Sequence, residues 1–132
     1  MPLPITSLFA GLLALLLLVL TFRIIALRWQ EKVGIGVGES KPLEVAVRVH
    51  GNFTEFVPLG LILLALMELA GASAVFLYAC GGVLFVARIS HAFGLTRSIG
   101  TSSFRAFGVL GTVAVLLFQA AYLIGFFIGY NL

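Results

Sequence analysis

PITSLFAGLLALLLLVLTFRIIAL, residues Pro4 to Leu27, carries one charged side chain, Arg23. About 20 mainly apolar residues suffice for a helix to cross a hydrocarbon core roughly 30 Å thick, so this stretch reads as a transmembrane span. A cleaved signal peptide would open on a basic segment and close on small residues. Met1 to Thr21 has no Lys or Arg, and Leu12 to Leu20 leads straight into Arg23 and Arg28, the pattern of a retained helix.

Three further stretches of similar length and character follow, near Leu43 to Leu69, Ser73 to Leu95 and Phe104 to Tyr130. The 132 residues are 61% hydrophobic and 10% charged, with a mean hydropathy of +1.19, whereas a soluble domain is roughly 45–50% apolar. The expected fold is therefore an all-α integral membrane protein, an antiparallel bundle of four transmembrane helices. It forms one domain over residues 1–132, with no length left for a second. The first connection, Gln30 to Lys41, holds Gly34, Gly36 and Gly38 and ends beside Pro42, which is suited to the first turn of a helix. The second, Ala70 to Ala72 around Gly71, is a tight turn.

All the cations (Arg23, Arg28, Lys32, Lys41, Arg48, Arg88, Arg97, Arg105) fall in or beside the first and third connections. By the positive-inside rule those loops face the cytoplasm and both termini lie outside, as expected of a multi-pass protein of the cell membrane. The net charge of +3 does not point to nucleic acid, because the basic residues bracket spans instead of forming a solvated run. Cys80 is the only cysteine, so an intramolecular disulfide is excluded and a packing role is expected. Two histidines and no aspartate make no transition-metal set, and no nucleophile elbow or phosphate-binding glycine loop occurs. The GxxxG of Gly125 and Gly129 carries no weight in a chain with fifteen glycines.

The polar residues inside the spans are more informative. In the second helix Glu44, Arg48, Asn52 and Glu55 recur at spacings of four, four and three, which confines them to a wedge of roughly 80°. Glu55 lies about 17 Å inside the span and is expected to face the protein interior or a wet cleft, because a carboxylate at mid-bilayer costs roughly 2.5–3.5 kcal/mol on insertion scales. Arg48, two turns away, is not expected to meet it ideally. The third helix adds Arg88 and His91 on nearly one face, at a depth matching Arg48. Ser102 and Ser103 offer caps for the fourth helix. Arg105 stands in its first turn, where the helix dipole favours acids, so its presence there suits membrane topology or an anionic ligand. Together Arg48, Arg88, Arg105, Asn52, Glu55 and His91 suit a small polar molecule bearing carboxylates and an amine: arginine pairs bidentately with carboxylate, and Glu55 takes an ammonium.

The segment Arg48-Val49-His50-Gly51-Asn52-Phe53-Thr54-Glu55-Phe56-Val57-Pro58 resembles the RxxxNxxE…P signature in the second helix of the membrane-associated proteins in eicosanoid and glutathione metabolism, the MAPEG family. The likeness takes in the Arg88-Ile89-Ser90-His91 step, the arginine opening the fourth helix, the basic first loop and the outside termini, and is nearest to the short bacterial members. It implies a homotrimer that binds glutathione between subunits near the cytoplasmic side, with a lipophilic substrate arriving from the membrane lipids. By the same resemblance Arg48, Asn52 and Glu55 hold the tripeptide and Arg88 and His91 extend the polar wall. Arg28 contributes from a neighbouring subunit, and Arg105 is catalytic, lowering the thiol pKa by proximity of its charge. Family enzymes often carry tyrosines where this chain has Phe56 and Leu95, so those hydroxyls are absent here.

Three function classes follow. The first is a glutathione-dependent transferase or peroxidase acting on lipophilic electrophiles or lipid hydroperoxides. The second is a non-catalytic lipid-binding or scaffold protein of the same fold. The third is a small multidrug transporter, disfavoured because such exporters place their coupling glutamate in the first helix, where Pro4 to Leu27 has none.

Overall fold

The computed structural model describes residues 1–97 and 102–131, the side chain of Arg97 excepted; the third connection, 98–101, lies outside the described residues. It contains four helices: α1 (Pro4–Glu31), α2 (Lys41–Leu69), α3 (Ala74–Arg97) and α4 (Ser103–Asn131). All four are long and apolar enough to cross a membrane. Their outer faces carry large apolar side chains such as Leu15, Phe22, Ile62, Leu117 and Phe127, as lipid contact requires. The core between them is built on Leu13, Leu43, Leu64, Met67 and Leu84.

Local chemistry sets the helix ends. α1 begins with Pro4 in its first turn and has no side-chain cap of its own. A carboxylate from the far end of α2 takes that role: Glu68 Oε1 accepts from Ile5 N at 2.9 Å and Oε2 from Thr6 N at 2.7 Å. Pro4 has no N–H to satisfy, and the two free N–H groups that follow it at the helix end are thereby satisfied from another element. α1 stops where Lys32 adopts a left-handed conformation, φ 54°. α2 starts with Ser40 Oγ accepting from Leu43 N at 3.3 Å and Pro42 in the first turn. It ends in a Schellman motif, in which Gly71 N donates to Glu68 O and Ala72 N to Met67 O, with Gly71 at φ 79°.

α2 and α3 each pack on all three other helices, while α1 and α4 make no contact among the described residues. Glycine permits the closest approaches. A Cβ on Gly108 of α4 would fall 2.5 Å from His91 Cβ and 2.7 Å from Ala87 O, and one on Gly94 of α3 would fall 2.6 Å from Arg105 N. The two backbones therefore touch on either side of His91 and Arg105, which fixes where those side chains stand.

Two polar side chains are buried at depth in α4. Thr112 Oγ1 returns its proton to Gly108 O at 2.7 Å. Gln119, fully buried, donates from Nε2 to Gly60 O at 3.2 Å.

Candidate functional site

A cavity of about 250 Å³ opens between α2, α3 and α4 at their basic ends, lined by Lys41, Glu44, Arg48, Asn52, His91 and Arg105, with Val45 and Leu95 as its apolar wall. The four-residue spacing along α2 puts Glu44, Arg48 and Asn52 on this wall in succession. His91 comes from α3, held against the side-chain-free backbone of Gly108. Arg105 comes from the first turn of α4, where Ser102 Oγ accepts from Arg105 N at 3.2 Å and caps the helix.

Behind the cavity stands Arg88, 2% exposed. Its Nη1 donates to Asn52 Oδ1 at 2.7 Å, while Nε and Nη2 are buried with no hydrogen-bond partner among the described residues. Arg88, Arg105 and Arg48 all lie within electrostatic range of His91. The carboxylates nearby are already engaged: Glu44 Oε2 meets Lys41 Nζ at 2.9 Å, and Glu55 Oε1 lies 3.8 Å from Arg48 Nη1. The cluster is thus a group of cations enclosing a small cavity, with an amide and an imidazole in its wall.

Of the residues singled out from sequence, Arg48, Asn52, His91 and Arg105 share the cavity, and Arg88 reaches it through Asn52. Within one chain Glu55 does not face the bundle interior, since its side chain is 53% exposed. It meets Arg48 only loosely, as two helical turns between them imply, the long guanidinium arm bringing the pair to 3.8 Å. Arg28 lies elsewhere within one chain, at the end of α1, where Nη1 donates to Val33 O at 3.2 Å and Gly36 O at 2.8 Å. Phe56 does not line the cavity; Leu95 does, supplying an apolar wall.

Lys41 and Val45 were missed. Val45 follows Lys41 by four residues and precedes Arg48 by three, so the α2 periodicity that marked Arg48 was signal enough. The Thr21–His50 contact, 3.1 Å from Oγ1 to Nε2, was also missed. Thr21 Oγ1 donates to Leu17 O, so His50 Nε2 acts as the donor to Thr21 and fastens α1 to α2. Arg23 Nη1, donating to Thr96 Oγ1 at 2.7 Å, ties α1 to α3 at the same level. No group of three or more metal-binding side chains occurs among the described residues.

A family model described as the MAPEG family matches residues 6–125. Two relatives, both named Inner membrane protein YecN, from Escherichia coli strain K12 and from E. coli O6:H1 strain CFT073, are each 38% identical over 90 residues, covering 68% of this chain and 69% of the relative. With four helices of spanning length and relatives named as inner membrane proteins, the chain is a multi-pass membrane protein, and it belongs to the MAPEG family.

Proposed function

We propose that the chain binds glutathione in the cavity between α2, α3 and α4, and uses it against lipophilic electrophiles or lipid hydroperoxides that arrive from the bilayer. The observation that carries this reading is the charge around the cavity: Lys41, Arg48 and Arg105 line it against one carboxylate, Glu44, and behind Asn52 stands the buried Arg88, two of whose nitrogens have no partner among the described residues. A buried cation without a counter-ion is strongly unfavourable, and an anionic ligand with carboxylates remedies it. Family membership supports the choice of glutathione among such anions.

Arg48 would hold a carboxylate, Asn52, oriented by Arg88 behind it, and His91 would take polar groups of the peptide, and Arg105 would stand beside the sulfur. When bound, glutathione supplies a thiolate nucleophile or, for a peroxide, reducing electrons. Arg105 favours the ionised sulfur through its charge. Leu95 and Val45 exclude water from one side, which strengthens each of these charge interactions.

The same reading includes a homotrimer with both termini outside and the basic loops in the cytoplasm. The cavity lies below the roughly 300–1,000 Å³ usual for ligand sites. The Arg48 and Glu55 side chains are 61% and 53% exposed on a membrane-spanning helix. Charges facing lipid at the bilayer centre cost about 2.5–3.5 kcal/mol each; a neighbouring copy laid over this face of α2 would cover them and complete the cavity. The eight cations at one end of the bundle support the orientation.

A scaffold role is favoured by a different observation, the absence of hydroxyls at Phe56 and Leu95. The two readings separate on turnover. Purified wild-type protein should conjugate a model electrophile with glutathione, and Arg105→Ala should lose at least tenfold in rate while still binding; binding without turnover in either protein favours the scaffold.

A further inference from the structure

A second concavity lies apart from this site, at the basic end of α1. It has a volume of about 390 Å³ and is lined by Arg28, Trp29, Lys32, Val33 and Gly34. Arg28 builds it. Its backbone oxygen accepts from the N–H of Lys32 and from Val33 N at 3.2 Å, while its Nη1 donates to Val33 O and Gly36 O. The glycine-rich segment is thereby folded back over the helix end. Nη1 is engaged, but Nε and Nη2 have no partner among the described residues. No carboxylate lines the cavity; Glu31, the nearest in sequence, is exposed outside it.

Depth gives the cavity its meaning. Trp29 follows Pro4 by 25 residues, about 37 Å at 1.5 Å per residue, which puts it past a hydrocarbon core roughly 30 Å thick and at headgroup level. Trp29 is 81% exposed and Ile35, at the loop tip, 95% exposed. An indole at that level is the usual interfacial anchor. The positive-inside rule asks only for charge in this loop. It does not require a clamped guanidinium, a lysine and an exposed indole around one concavity.

We propose that this corner of the protein binds the phosphate-bearing headgroup of an anionic phospholipid, with the free nitrogens of Arg28 and the ammonium of Lys32 taking phosphate oxygens and Trp29 lying along the ester region. A soluble phosphate would use the cations but not Trp29 or Ile35, whose exposed apolar surfaces suit a ligand with acyl chains. Within one chain none of these residues lines the other cavity, so an experiment run without glutathione reads this corner alone whether or not Arg28 also reaches a neighbouring subunit's ligand.

Trp29 is the only tryptophan, so its emission reports this corner alone. The full chain is reconstituted in phosphatidylcholine nanodiscs containing a small, equal fraction of brominated phosphatidylglycerol or brominated phosphatidylcholine. Each lysine or arginine near an anionic surface is worth roughly fivefold in lipid affinity. Brominated phosphatidylglycerol should therefore quench Trp29 several-fold more than brominated phosphatidylcholine, and Lys32→Gln should remove much of that excess while leaving the fold intact. Arg28→Gln should remove the excess as well, and the Lys32 variant keeps the test valid if the loop then unfolds. Equal quenching by the two lipids overturns the proposal. Displacement of the brominated phosphatidylglycerol by inorganic phosphate, at matched ionic strength, overturns the headgroup assignment in favour of a soluble anion; no displacement supports it.

Discussion

Arg88 Nη1 donates to Asn52 Oδ1 at 2.7 Å, and this bond joins α3 to α2 directly behind the cationic cavity. It is the only hydrogen bond of Arg88 to another side chain among the described residues, so the guanidinium is only partly satisfied. Stability and binding should therefore respond differently to its two ends. Asn52→Leu leaves the cation with no protein partner and should destabilise the folded chain by about 2–3 kcal/mol, as for loss of a hydrogen bond to a charged group. Arg88→Met removes the buried charge altogether and should be close to neutral for stability, yet weaken glutathione binding at least tenfold. Thermal unfolding in detergent, alongside calorimetric binding, checks both.

The approach of α4 to α3 depends on the missing side chain of Gly108, where a Cβ would meet His91 and the Ala87 carbonyl. Gly108→Val should force the helices apart, costing about 1–3 kcal/mol, and should abolish ligand binding by displacing His91 and Arg105. Gly125→Val, where a Cβ would meet nothing within 4 Å, is the matched control and should leave both properties unchanged.

Glu68 caps a helix that begins 64 residues before it, through the amides of Ile5 and Thr6. Glu68→Ala should cost about 1 kcal/mol, the usual worth of an N-terminal cap. It should also speed amide exchange at Ile5 and Thr6 with little effect elsewhere. Unchanged exchange at those two positions would mean that the carboxylate does not hold the helix end.

Gln119 has one half satisfied and one half not: Nε2 donates to Gly60 O, and Oε1 is buried without a partner among the described residues. An unsatisfied buried oxygen costs about 1–3 kcal/mol, comparable to or larger than the net value of the bond opposite it. Gln119→Met should therefore be neutral or mildly stabilising in thermal unfolding; a loss of stability would show that the amide is fully bonded in the membrane.

The four spans and their order were legible because hydropathy decides both, and the α2 stripe was legible because its spacing is helical. The ends of α1 and α2 were less so. α1 runs on to Glu31, past Leu27, because an interfacial helix end tolerates Arg28 and Gln30 until Lys32 turns the chain. The exposure of Glu55 on the single bundle was not legible, because helical spacing puts it on the Arg48 stripe without saying how far that stripe turns from the interior. The Glu68 clamp and the contact of Gly81 with Phe9 join residues more than sixty positions apart, and no local periodicity encodes such pairs.

The central claim is that the cationic cavity is a glutathione site, and isothermal titration of glutathione into the purified chain tests it most directly. Wild-type protein should bind, and Arg48→Ala should bind roughly 10- to 100-fold more weakly, the value of a charge-assisted hydrogen bond to a ligand carboxylate. Glu55→Gln, whose carboxylate lies outside the cavity, should weaken binding less. Absence of heat with the wild-type protein, or equal affinity in wild type and Arg48→Ala, would contradict the account.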